Sequence, residues 1–220
     1  MKTRHERLDA FQQIDLYPVT DQAQSLGRSN DEVLSGIIAG GARIVQLREK
    51  ELGKREFYEM ACRFRAATER HGLLLIINDH LDVALACGAD GVHLGQDDLP
   101  LSAARKIAPE LLIGISTHSL DEARCAQSQG ADYVNIGPIF PTSTKQVTIP
   151  PRTPQAIREA APHLTIPFTV MGGINRSNIG QVLAAGARRI AVVTAVATAP
   201  DIAAAVRSLR ETIGEYESSC

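Results

Sequence analysis

The chain has no apolar run near the roughly 18 residues that a membrane-spanning helix needs. Its opening stretch, MKTRHERLDAFQQ, lacks the apolar core of a secretory signal. A cytoplasmic protein is expected. Charge of one sign is also missing: 23 Lys and Arg against 25 Asp and Glu leave a net charge of −2, which gives no reason to expect nucleic acid or an anionic membrane as partner. Cys62, Cys87, Cys125 and Cys220 form no C-x-x-C pair and no metal-type spacing, so free thiols are expected, three of them as small hydrophobes within helices. No Pro/Ser-rich linker divides the 220 residues, and with 44% hydrophobic content they can bury one substantial core. The expectation is one domain over 1–220, with 1–13 a charged leader long enough for a short helix across the bottom.

What is present is an alternation. Short apolar runs bounded by turn residues mark strands at 14–19, 43–48, 73–77, 91–94, 112–116, 133–137, 168–171 and 189–193. Between and after them lies helical spacing, as in Val33, Leu34, Ile37 and Ile38, or Ile202, Val206, Leu209 and Ile213. Gly41-Ala42, Gly88-Ala89, Gly130-Ala131 and Gly186-Ala187 each close a helix and lead into a strand, about two strand–helix units apart, with glycine where a left-handed C-cap is needed. Eight such units in a chain of this size point to a single (β/α)8 TIM barrel. An open doubly wound sheet is the alternative, but it would more naturally carry a G-x-G-x-x-G turn after its first strand, where this chain has Tyr17-Pro18-Val19-Thr20-Asp21.

In such a barrel the chemistry gathers at the C-terminal ends of the strands. Asn78 and Asp79 end the third strand, and Gly95, Gln96, Asp97 and Asp98 follow the fourth. Neighbouring parallel strands open onto the same side, so Asp79 and Asp98 face each other in an oxygen-rich site of the kind that Mg2+ prefers. Either residue alone would more often be a helix cap. In the second strand, alternation sends Val45 and Leu47 outward while Gln46, Arg48 and Lys50 face the axis and mouth, where Arg and Lys suit an anion. Ser116 ends the fifth strand. The long connection at 138–152 carries Thr142, Ser143, Thr144 and Lys145 as a lid, and stops at Thr153-Pro154, read as an N-cap followed by proline. Gly172-Gly173 after the seventh strand and Val193-Thr194 after the eighth occupy the usual phosphate position of these barrels, although a glycine pair can also be a tight turn. A site for two anions results. No Ser/His/Asp or Cys/His arrangement stands out, and His93 and His118 are read as core or rim polar residues.

Taken in order, QLREK at 46–50, IND at 77–79, GVHLGQDD at 91–98, GIS at 114–116, GPIFPTSTK at 137–145 and GGI at 172–174 resemble the thiamine phosphate synthase family, over nearly the whole chain. The resemblance implies a transferase of thiamine biosynthesis. It would join hydroxymethylpyrimidine diphosphate to hydroxyethylthiazole phosphate by a dissociative substitution, releasing diphosphate. By the same resemblance Asp79 and Asp98 match Mg2+ ligands, and Arg48, Lys50, Asn78, Ser116 and Lys145 match diphosphate-binding residues, with Arg48, Lys50, Ser116 and Lys145 expected to be catalytic. Gln46 matches the pyrimidine contact, while Thr142, Thr144, Gly173, Val193 and Thr194 match the thiazole phosphate site. The partners expected are these small molecules, with no nucleic acid or membrane, and a homo-oligomer is allowed. Two rivals are a related thiazole tautomerase, which would not need REK, ND and GQDD, and a non-catalytic sensor of a phosphate ligand.

Overall fold

The computed structural model describes residues 2–142 and 150–219. Within them the expected alternation is realised as β1 (Leu16–Pro18), β2 (Ile44–Leu47), β3 (Leu74–Asn78), β4 (Gly91–Leu94), β5 (Leu112–Thr117), β6 (Tyr133–Ile136), β7 (Phe168–Val170) and β8 (Ile190–Val192). The helices are α1 (Arg4–Gln12), α2 (Asn30–Ala39), α3 (Lys54–His71), α4 (Leu81–Cys87), α5 (Leu101–Ile107), α6 (Leu120–Ser128), α7 (Gln155–Ala160), α8 (Ile179–Leu183), α9 (Thr194–Ala197) and α10 (Ile202–Ser218). All strand pairs are parallel, in the order β1-β8-β7-β6-β5-β4-β3-β2. The ring closes through a Val19–Gln46 bridge, with the Thr20 N–H donating to the Gln46 carbonyl at 2.9 Å. The chain is a (β/α)8 TIM barrel and not an open sheet. β1 is shorter than expected, since Pro18 has no N–H to give and pairing with β8 spans only Leu16–Pro18.

Alternation along the strands separates two cores. Val45, Leu47, Leu75, Ile77, Val92 and Leu94 point outward beneath the helices, where α3 buries Phe57, Met60, Ala61 and Phe64 at helical spacing. The inward residues Tyr17, Ile44, Leu74, Ile76, Leu112 and Tyr133 fill the barrel together with Phe11 of α1. Gly114 of β5 makes room there, because a Cβ at this position would overlap the Tyr133 ring. The glycines of the Gly-Ala pairs, Gly41, Gly88, Gly130 and Gly186, all have φ between 69° and 103°, the left-handed cap that their placement required.

The leader forms the helix α1, started by a reciprocal cap between Thr3 and Glu6. It closes the N-terminal end of the barrel. Phe11 is fully buried and stacks on Tyr133, with ring centroids 4.2 Å apart, a burial worth about 1.5–3 kcal/mol. Beside it, Asp132 accepts from Arg4 Nε at 2.7 Å and from the Ile113 N–H at 2.7 Å. Asp90 accepts from the Leu75 N–H at 2.9 Å and pairs with Arg65 at 2.7 Å and Arg7 at 3.5 Å. Such buried carboxylates persist only because each is paired and hydrogen-bonded. Among the described residues no helix is long and apolar enough to cross a membrane.

Candidate active site

At the opposite end the strands open into a cavity of roughly 700 Å³. Gln46, Arg48, Lys50, Asn78, Asp79, Asp98, Ser116, Thr142, Gly173, Val193 and Thr194 all line it. Ser143, Thr144 and Lys145, also singled out in the sequence, lie outside the described residues.

The acidic pair follows from strand order. β3 and β4 are neighbours, with Asn78 opposite His93. Immediately beyond β3 the chain reverses: the His80 N–H donates to the Asn78 carbonyl at 2.7 Å and Asp79 between them has a φ of 62°. That conformation is costly for a residue with a side chain, and Asp tolerates it better than most. The Asp79 N–H is tied to the His93 carbonyl at 2.8 Å. Asp98 is fixed differently, its carboxylate accepting the Gly95 N–H at 2.6 Å so that the GQDD turn folds on itself. The two carboxyl groups line the same cavity, close enough for each to shift the other's ionisation. Burial acts to raise the Asp79 pKa, but the Lys50 ammonium and the contact with Asp98 together hold it below its ordinary value. For Asp98 burial and the neighbouring carboxylate prevail, and its pKa is raised. Among the described residues no group of three or more His, Cys, Asp and Glu gathers for a metal. A pair of apposed carboxylates suits a hard divalent cation that keeps waters and takes further oxygens from a ligand.

The basic residues are held as well. Arg48 pairs with Asp21 in the loop after β1, and its N–H donates to Thr20 Oγ1 at 3.1 Å. Lys50 pairs with Asp79. Both cations therefore stand at the mouth in carboxylate contacts that an incoming anion would compete for or share. On β5, Ser116 Oγ lies 2.9 Å from His93 Nε2, and the Ser116 carbonyl accepts from Gln96 Nε2 at 2.6 Å. His118 donates through Nδ1 to the Gly137 carbonyl at 2.7 Å, a rim contact of the kind expected for it.

On the far side of the cavity the glycine pair forms a tight turn. Gly172 and Gly173 have φ of 103° and 63°. The connection after β6 lies directly on them: the Phe140 N–H donates to the Gly172 carbonyl at 3.0 Å, and a Cβ at Gly173 would come within 2.9 Å of Phe140 Cβ. The pair is thus a close-packed turn that also exposes backbone to the cavity, beside Val193 and the start of α9 at Thr194. One local expectation is corrected. Thr153 is not the N-cap of α7, because its φ of 61° takes the backbone out of the extended conformation a cap adopts; Pro154 holds the cap position and α7 begins at Gln155.

Sequence reasoning passed over Asp21, though it sits just past β1, where the rule that collected the other site residues would have found it. It also passed over the buried phenols of Tyr17 and Tyr133, whose hydroxyls meet at 3.1 Å.

Residues 16–196 match the family model described as thiamine monophosphate synthase. The chain is 46% identical over 195 residues to the thiamine-phosphate synthase of Shouchella clausii, covering 88% of this chain and 93% of that one. It is 48% identical over 195 residues to that of Chloroflexus aurantiacus, covering 89% and 90%. A solved thiamine phosphate pyrophosphorylase from Pyrococcus furiosus superposes with a TM-score of 0.86 at 37% identity, over 92% of this chain and 96% of that chain.

Proposed function

The chain belongs to the thiamine monophosphate synthase family, a family of transferases, and on that premise we propose that it joins hydroxymethylpyrimidine diphosphate to hydroxyethylthiazole phosphate, giving thiamine monophosphate and diphosphate. The observation that carries the reading is the shared cavity: acidic pair, basic pair, Ser116 and the glycine turn all line one space of roughly 700 Å³. That volume is in the range of small-molecule sites. We read the protein as a cytoplasmic biosynthetic enzyme.

The reaction breaks the bond from the pyrimidine methylene carbon to the diphosphate oxygen and forms a bond from that carbon to the thiazole nitrogen. An electron-rich aminopyrimidine favours departure of diphosphate before attack, so the protein needs no side-chain nucleophile. Its work is to hold the two substrates in line and to stabilise negative charge on the leaving group. In our reading Arg48 supplies a planar fork to the diphosphate, and Lys50 a mobile ammonium now held by Asp79. Asn78, Ser116 and Lys145 complete the diphosphate contacts. Gln46 holds the pyrimidine ring, while Thr142, Thr144, the backbone at Gly173, and Val193 and Thr194 hold the thiazole phosphate. Asp79 and Asp98 would hold Mg2+, which their apposed carboxylates fit. When bound, the ion would supply Lewis-acid neutralisation of the departing diphosphate.

Isothermal titration of diphosphate with and without Mg2+ tests the reading. Diphosphate should bind far more tightly with the ion present. Equal affinity in both conditions would favour a site that only senses phosphate.

A further inference from the structure

A single line of hydrogen bonds crosses the barrel interior between the two sides of the cavity. Gln46 Nε2 on β2 lies 2.9 Å from the Tyr17 hydroxyl, which lies 3.1 Å from the Tyr133 hydroxyl. Tyr133 lies 3.1 Å from His93 Nδ1, and His93 Nε2 lies 2.9 Å from Ser116 Oγ. Tyr17 and Tyr133 are 1% and 0% exposed, and Gln46 and His93 4% and 7%. Burial pushes both phenols above their ordinary range, so each keeps its proton and can donate it. The line is braced from below by Phe11 stacked on Tyr133 and is given space by Gly114.

The direction of the line is set at its end. An amide nitrogen can only donate, so Gln46 makes Tyr17 Oη an acceptor and turns the Tyr17 proton toward Tyr133. Tyr133 then donates to His93 Nδ1, which puts the proton of a neutral imidazole on Nε2. That proton goes to Ser116 Oγ, and the serine's own proton is left to point into the cavity.

We propose that Tyr17, Tyr133 and His93 are positioning residues: they fix His93 as the Nε2–H tautomer, so that Ser116 presents its hydroxyl as a donor to the cavity while Gln46 is held in register. The inference rests on the proposed roles of Ser116 at the diphosphate and Gln46 at the pyrimidine. An opposite line, running from His93 Nδ1–H to a Gln46 oxygen, would consume the Ser116 proton on the imidazole and leave the serine facing an anion with lone pairs only.

The test is a ring ¹H–¹⁵N correlation spectrum of the labelled protein at about pH 8, above the ordinary imidazole range, with His93 identified by its absence in His93→Gln. The Nε2–H tautomer is expected; an Nδ1–H or doubly protonated ring overturns the proposal. Tyr133→Phe keeps the stack on Phe11 and removes only the hydroxyl. It should leave His93 a mixture of tautomers and lower kcat about tenfold, the scale of one misdirected hydrogen bond, with KM for the thiazole phosphate unchanged. An unaltered tautomer and unaltered kcat overturn the proposal. Tyr17→Phe is the second variant: it cuts the line between Gln46 and Tyr133, so it should also leave His93 a mixture of tautomers and raise KM for the pyrimidine substrate, and an unaltered tautomer would refute the claim that the direction is set from Gln46. The wild-type spectrum decides that direction whether or not the protein forms thiamine monophosphate, so the two readings fail separately.

Discussion

Asp98→Asn separates the two roles of one carboxylate. In the folded chain Asp98 accepts the Gly95 N–H at 2.6 Å and also stands against Asp79. The amide oxygen of asparagine can accept the same N–H, so the GQDD turn should persist, and a half-exposed rim position should change stability by less than about 1 kcal/mol. What is lost is a negative charge from the carboxylate pair proposed to hold a cation. If that charge contributes about 3–4 kcal/mol to stabilising the departing diphosphate, a span typical of a removed electrostatic contact in a catalytic site, turnover should fall roughly 10²–10³-fold. Steady-state formation of thiamine monophosphate across a Mg2+ titration reads this directly, with the melting curve as control. A variant that turns over within about twofold of wild type would refute the assignment of Asp98 to a metal, and a large drop in melting temperature would show that the turn itself depends on the carboxylate.

Other positions make independent predictions. Arg48→Lys keeps the charge but loses the planar fork, so KM for the pyrimidine diphosphate should rise about tenfold; an unchanged KM would mean that Arg48 serves only its pair with Asp21. Asp132→Ala strands the Arg4 and Arg105 guanidinium groups and the Ile113 N–H. It should cost about 3–5 kcal/mol, or about 6–20 °C of melting temperature, with a loss under about 1 kcal/mol contradicting the account of how α1 is held. Burial pushes the Cys87 thiol up to about 11, whereas Cys125 on α6 is exposed and not the small buried hydrophobe expected of it. Iodoacetamide followed by peptide mass analysis should find Cys125 modified before Cys87, and the reverse order would show that α4 opens readily.

The barrel was legible because its signals are local and repeated. Period-two alternation placed Val45 and Leu47 outside and Gln46 inside, and the Gly-Ala pairs marked four helix ends with the left-handed backbone they adopt. The acidic pair was legible because two strands adjacent in sequence are also adjacent in the sheet. What did not show in the sequence depends on residues far apart. The helix α1 was expected but its anchoring was not: it buries only Arg7 and Phe11, and its ion-pair partners are acids more than eighty positions away. The line from Gln46 to Ser116 likewise joins β2, β1, β6, β4 and β5, a neighbourhood that only closure of the ring creates. Asp21 was hidden by its setting: it follows a strand end with no glycine-rich turn, and its partner Arg48 stands 27 positions on, beyond the next strand.

The most direct measurement incubates the purified protein with hydroxymethylpyrimidine diphosphate, hydroxyethylthiazole phosphate and Mg2+, and follows thiamine monophosphate and diphosphate together. The account predicts that both products appear in equal amounts and that chelating the metal suppresses them. No product with both substrates and Mg2+ present, or an unchanged rate after chelation, would contradict it.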